Sequence, residues 1–187
     1  MAGARPLLRE RLDDPDGASR VGAFFSNASG RAVRLIDGGA LHQFGNTGSG
    51  VKASGDVRTV HIINANTVRA LAAAAGVQLD PSRFRANIIL DGALPAWREF
   101  EWVGSTVAVG AATLAVISRT VRCDGVNVDA EHGSGRADLD IPALLQRHFP
   151  QHGPFLGVYA QVTGGEEVRV QLGDAVHVQS EAALRRP

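Results

Sequence analysis

The chain has 187 residues, 44% of them hydrophobic and 20% charged, which is enough for one domain with a proper core. Nineteen basic residues balance nineteen acidic ones, so no overall field would draw the protein to nucleic acid or to a membrane surface. The single cysteine, Cys123, excludes an internal disulfide and a multi-cysteine zinc site.

Residues 1–20 are rich in charge, Pro and Gly and read as a flexible or loosely helical lead-in, with no apolar core of the signal-peptide kind. No apolar run approaches the roughly 18 residues of a membrane helix, and a lone thiol fits a reducing compartment. The expected location is therefore cytoplasmic. Residues 21–56 read as a linker-like region: an apolar group (Val21, Phe24, Phe25), a turn over Ser26–Gly30, a strand over Ala32–Ile36, and a loop over 37–56 with six glycines. That loop contains Gly45-Asn-Thr-Gly-Ser-Gly-Val-Lys52-Ala53, which departs from a phosphate loop twice. Lys52 does not directly follow Gly50, and Ala53 stands where a magnesium-binding hydroxyl is required.

The main domain is expected over 57–180, with 181–187 as tail. Val57–Ile63 reads as a strand. Thr67–Ala75 reads as a helix capped by Asn64 or Asn66 and closed by Gly76. Asp80-Pro81-Ser82 opens a turn, and Ala86–Asp91 is a strand. Trp102–Val109, Thr113–Ser118 and Val126–Val128 follow as short strands between Gly-containing turns. Asp140 and Pro142 start a helix running to about Phe149. Phe155–Val162, Val168–Leu172 and Ala175–Val178 complete the strands. Many short strands with two or three helices predict a mainly β, α+β, barrel-like domain.

Few residues suggest chemistry by themselves. His148 and His152 are separated by Pro150, which breaks the helix that would align them on a metal. His61, inside an apolar strand, reads as a core or rim histidine. Glu99 and Glu101 read as solvated charges. Arg83, Arg85 and Asn87 alternate in Ser82-Arg-Phe-Arg-Ala-Asn87, so an extended chain would send all three to one side, where two planar forks suit a phosphate or polar heterocycle. A ladder of surface arginines is the other reading. Cys123 stands in Arg119-Thr-Val-Arg122-Cys123-Asp-Gly-Val-Asn127-Val-Asp129. Three readings of it are open: a buried spare hydrophobe, a nucleophile or sulfur carrier, and the one protein ligand of a soft metal.

Taken in order, Arg83-Phe-Arg-Ala-Asn-Ile, Asp91-Gly, Trp97 through Gly104, Arg119 through Cys123, Asn127-Val-Asp129 and Gly157-Val-Tyr159-Ala resemble the MOSC family, the domains at the C-terminus of molybdenum cofactor sulfurases and in amidoxime-reducing proteins. The resemblance spans roughly Val57–Asp174. It implies a MOSC-type β-barrel and a molybdopterin-bound molybdenum ligated by Cys123. Arg85 and Asn87 match cofactor-contacting positions, with Arg83, Arg122, Asn64 and Tyr159 beside them and Asp129 closing the cysteine motif. The implied activity is that of an oxidoreductase reducing N-hydroxylated small molecules, with electrons from a separate donor protein. A persulfide sulfur carrier and a non-catalytic binding module are the alternatives. Pyridoxal phosphate belongs to a different domain of the sulfurases and is not expected here. The sequence departs from the family in two respects: Val126 stands where the family usually has threonine, and only the last part of an N-terminal barrel module is recognisable.

Overall fold

A computed structural model describes residues 8–36, 59–129, 136–164 and 168–179. The chain divides into two compact units, 1–42 and 43–187. The expected loop over 37–56 and the tail at 181–187 lie outside the described residues, as does Val57.

In the first unit, helix α1 spans Pro15–Ser29. Asp14 caps it by accepting from the amides of Asp16 and Gly17, proline fills the first turn, and Gly30 closes it at φ 66°. Arg20 donates twice to Glu10 at 2.8 Å. Two expectations are corrected here. Ser26–Ser29 is the last turn of the helix rather than a loop, because Ser26 and Ser29 hydroxyls bond back to the carbonyls of Gly22 and Phe25. Ala32–Ile36 is not a strand, since no described strand pairs with it.

In the second unit, six strands among the described residues form one mixed sheet in the order β2-β1-β5-β4-β3-β6, curled as a half-barrel. They are β1 (Thr59–Asn64), β2 (Ile88–Leu90), β3 (Thr106–Val109), β4 (Ala112–Val121), β5 (Phe155–Gly164) and β6 (Val176–Gln179). Only β1 and β2 are parallel, and helix α2 (Ala65–Ala75) supplies the crossover such a pair needs. This mainly β, α+β architecture is the one expected from the sequence.

Because strand side chains alternate, β1 sends Ile62 to one side and Ile63 to the other. Ile62 joins Val107, Leu114, Val116, Val158 and Ala160 in one apolar cluster closed by Phe100 and Trp102. Ile63 joins Leu156 in a second cluster, covered by α2 through Val68 and Leu71 and by helix α3 (Ile141–His148) through Ile141 and Leu145. The caps behave as anticipated: Asn64 and Gly76 bound α2, and Asp140 with Pro142 opens α3.

Three segments read wholly or partly as strands take other forms. The strand expected over Trp102–Val109 begins only at Thr106, and Trp102 instead ends a 3-10 turn, Arg98–Trp102, that buries Phe100 and Trp102. Asp124–Asn127 is another, placing Val126 in the second cluster. Val168–Leu172 is not paired into the sheet and leaves Val170 and Leu172 exposed. Glu99 is also corrected. It is fully buried, accepting from Thr67 Oγ1 at 2.8 and 3.0 Å and from Asn64 Nδ2 at 3.2 Å, while Glu101 stays exposed beside Arg98. No helix among the described residues is long and apolar enough to cross a membrane.

Candidate functional site

The cysteine sits where β4 ends and the chain turns. Arg122 N donates to Pro154 O at 2.8 Å, tying the exit from β4 to the entry of β5. Cys123 then caps the 3-10 turn, its carbonyl accepting from Val126 N at 3.2 Å. Beyond it, Asn127 accepts from Ile141 N through its side chain at 2.9 Å and from Asp138 N through its carbonyl at 3.0 Å. Held at both ends, the turn presents the Cys123 thiol to solvent. A buried spare hydrophobe is therefore not its role.

Beside the thiol lies a half-buried cation. Arg122 Nη2 donates to Phe84 O at 3.0 Å, and Nη1 lies 3.2 Å from His61 Nε2. Its Nε is buried with no hydrogen-bond partner, and its guanidinium packs 5.4 Å from the centre of the Phe84 ring. Among the described residues no carboxylate lies within ion-pairing distance of it. Burial lowers its pKa, which the nearby Cys123 and Tyr159 partly counter.

His61 is central to this group. Burial first, and the positive charge of Arg122 second, push its pKa down to about 3, so it is neutral at ordinary pH. With Arg122 as donor, Nε2 is the acceptor nitrogen and the proton sits on Nδ1. His61 pairs with Tyr159 across β1 and β5, and their rings are 5.4 Å apart. Burial raises the Tyr159 pKa, so its hydroxyl keeps its proton. Asn87 grips the His61 backbone from both sides, accepting from His61 N at 2.8 Å through Oδ1 and donating its own N–H to His61 O at 2.9 Å.

Space for the imidazole comes from Gly157, at φ 81°. A Cβ there would lie 2.6 Å from Ile62 O, 2.7 Å from Ile63 Cγ2 and 2.8 Å from His61 Nε2. Gly157→Ala is thus expected to lower stability by at least about 2 kcal/mol, read from urea unfolding, through strain and overpacking together.

The alternating trio separates. Pro81–Phe84 is a 3-10 turn and Arg85 adopts a left-handed conformation at φ 54°, so the chain is not extended there and Arg83 and Arg85 part company. Arg83 is buried, donating to both oxygens of Asp138 at 2.8 and 2.6 Å and to Val126 O at 3.2 Å, with Asp129 at 3.6 Å. Phe84 enters the second cluster, and the Arg85 side chain is exposed. Asn64 caps α2 and holds Glu99 and Pro95. Asp129 also borders a surface hollow of about 610 Å³ with Asp80 and residues of the α2 C-terminus, a hollow that Cys123 does not line. The structure thus gathers Arg122, Cys123, Tyr159 and Asn87, with the backbone of Arg85 close by, and puts Arg83, Asn64 and Asp129 in other contacts. His61 joins the group although the sequence read it as a core or rim residue. Its two-residue alternation with Thr59 and Ile63 gave no sign of which partner it would meet.

A family model described as the MOSC domain matches residues 49–177, more than half of the chain. The chain belongs to the MOSC domain family. No curated protein matches it in sequence. The match encloses strands β1 through β5 of the MOSC sheet and the start of β6, and with them Arg122, Cys123, His61 and Tyr159. Within this MOSC domain, Val126 is buried among Ile63, Val68, Phe84 and Ile141.

Proposed function

We propose that this MOSC-domain protein binds a molybdopterin-bound molybdenum through Cys123 and acts as an oxidoreductase on N-hydroxylated or related small molecules, with electrons from a separate donor protein. The observation that carries this reading is a half-buried guanidinium, Arg122, hydrogen-bonded only to neutral acceptors, next to an exposed thiol. A desolvated cation without a carboxylate partner suits an anionic group, and a thiolate suits a soft metal. Among the described residues no set of three or more His, Cys, Asp and Glu side chains is placed to hold a metal.

When bound, the molybdenum group supplies oxo transfer coupled to two-electron redox change. The residues of the chain do the rest. Cys123 offers the sulfur on a turn anchored at both ends. Arg122 neutralises negative charge on the pterin or its phosphate, and the exposed Arg85 fork is free to reach the same group. Asn87 has committed Oδ1 to His61 and keeps Nδ2 to donate, while Tyr159 donates from a hydroxyl that burial keeps protonated. A reducing, cytoplasmic setting would hold Cys123 as a thiol.

Protein made in a cofactor-competent host is expected to carry molybdenum and pterin near one per chain, and Cys123→Ala less than a tenth of that. Wild-type protein without either sinks the proposal. The exposure of Cys123 also favours a second reading, in which it carries a persulfide; a labile sulfur adduct on Cys123 in intact mass, with no bound metal, would establish that instead.

A further inference from the structure

Arg83, which is buried, and Arg122, which is half-buried, are satisfied in opposite ways. Arg83 faces carboxylates, Asp138 at 2.6 Å and Asp129 at 3.6 Å, which cancel its charge. Arg122 has two acceptors, and both are neutral: the Phe84 carbonyl at 3.0 Å and the His61 imidazole at 3.2 Å. A neutral acceptor fixes the direction of a guanidinium and leaves its charge available, whereas a carboxylate at the same place would consume it.

We propose that His61 is the positioning residue of the site: it aims Arg122 by accepting from Nη1 and, by being uncharged, reserves that cation for an anionic, phosphate-like ligand beside Cys123. The surroundings enforce this role. Asn87 clamps the His61 backbone on both its N–H and its C=O, Gly157 opens the space in which the ring lies, and burial keeps the imidazole unprotonated. A protonated imidazole could not accept from Arg122 and would place two cations side by side.

This inference rests on the anion-binding part of the proposed function, and its test separates the two. Dissociation constants for inorganic phosphate are measured by calorimetry on metal-free wild type, His61→Gln and His61→Glu. Gln keeps a neutral acceptor near the Nε2 position, and Glu keeps an acceptor but adds a charge. His61→Gln is expected within about threefold of wild type, and His61→Glu weakened tenfold or more. A merely structural role would not distinguish these variants by the charge of the acceptor. The inference is overturned if His61→Glu binds phosphate as wild type does, if His61→Gln weakens as far as His61→Glu, or if wild type binds none. Wild type lacking molybdenum from a competent host, with the phosphate series intact, removes the metal reading and upholds this one. Wild type loaded with molybdenum, with the phosphate series flat, does the reverse.

Discussion

Arg122→Met should strip bound pterin and molybdenum from protein made in a cofactor-competent host by at least tenfold, while the metal-free variant unfolds within about 1 kcal/mol of wild type. The two halves have one cause. The guanidinium is half-buried without a carboxylate partner, so the folded protein bears a desolvation penalty and recovers two hydrogen bonds to neutral acceptors. Methionine fills similar volume without that penalty, at the expense of leaving His61 Nε2 and Phe84 O unpartnered, about 1 kcal/mol each. A half-buried charge without a carboxylate partner is the pattern expected of a group that serves a ligand. Urea unfolding of metal-free wild type and variant, with metal and pterin analysis of the loaded proteins, checks both halves. A variant that loses several kcal/mol and keeps its molybdenum would assign Arg122 a purely structural role.

Glu99 carries the largest expected effect on stability. Its carboxyl is fully buried between the start of α2 and the Arg98–Trp102 turn, where Thr67 also accepts from Trp97 N at 2.8 Å. Glu99→Ala removes the acceptor of Thr67 and Asn64 and leaves a cavity, for a loss of about 3 kcal/mol. Glu99→Gln has the opposite character. Its oxygen can accept from Asn64 and Thr67 while its NH2 donates to the second lone pair of Thr67 Oγ1, as the protonated carboxyl would. Burial raises the pKa of Glu99 above its ordinary 4.5, with the hydrogen bonds from Thr67 and Asn64 opposing the rise. Above pH 4.5 the unfolded chain has therefore released a proton that the folded chain still holds, and stability falls as pH rises toward the folded pKa. Glu99→Gln removes that slope. The stability of the variant relative to wild type should grow from pH 5 to pH 8, and a constant difference would mean that Glu99 is ionised in the fold.

Much of the framework was legible because it is local. Asn64 and Gly76 around α2, and Asp140 with Pro142 ahead of α3, are satisfied by their own neighbours in sequence, and they appear where capping chemistry puts them. The long apolar runs of β4 and β5 were equally plain. What the sequence concealed was set by distant partners. Arg83 meets Asp138 fifty-five positions away, and no spacing within Ser82–Asn87 distinguishes that arginine from Arg85. Glu99 looks like Glu101 until Thr67 and Asn64 are brought to it from more than thirty positions upstream. Phe100 and Trp102 keep the two-residue alternation of a strand yet lie in a 3-10 turn, so tertiary packing overrode the local pattern. In the site, the ordered segments shared with the family singled out Cys123, Arg122 and Tyr159, whereas His61 became visible only once β1 was laid against β5 and its ring met Arg122.

The anchoring of the Cys123 turn has a thermodynamic consequence. With Arg122 N fixed to Pro154, Val126 N closed onto Cys123 O, and Asn127 tied to α3, the backbone that carries the sulfur has already surrendered its freedom during folding. A ligand that arrives there orders little further chain, so the entropic penalty of docking is confined to the incoming molecule and a few exposed side chains such as Arg85. Affinity at such a place responds to charge and to sulfur far more than to loop length or temperature-dependent ordering.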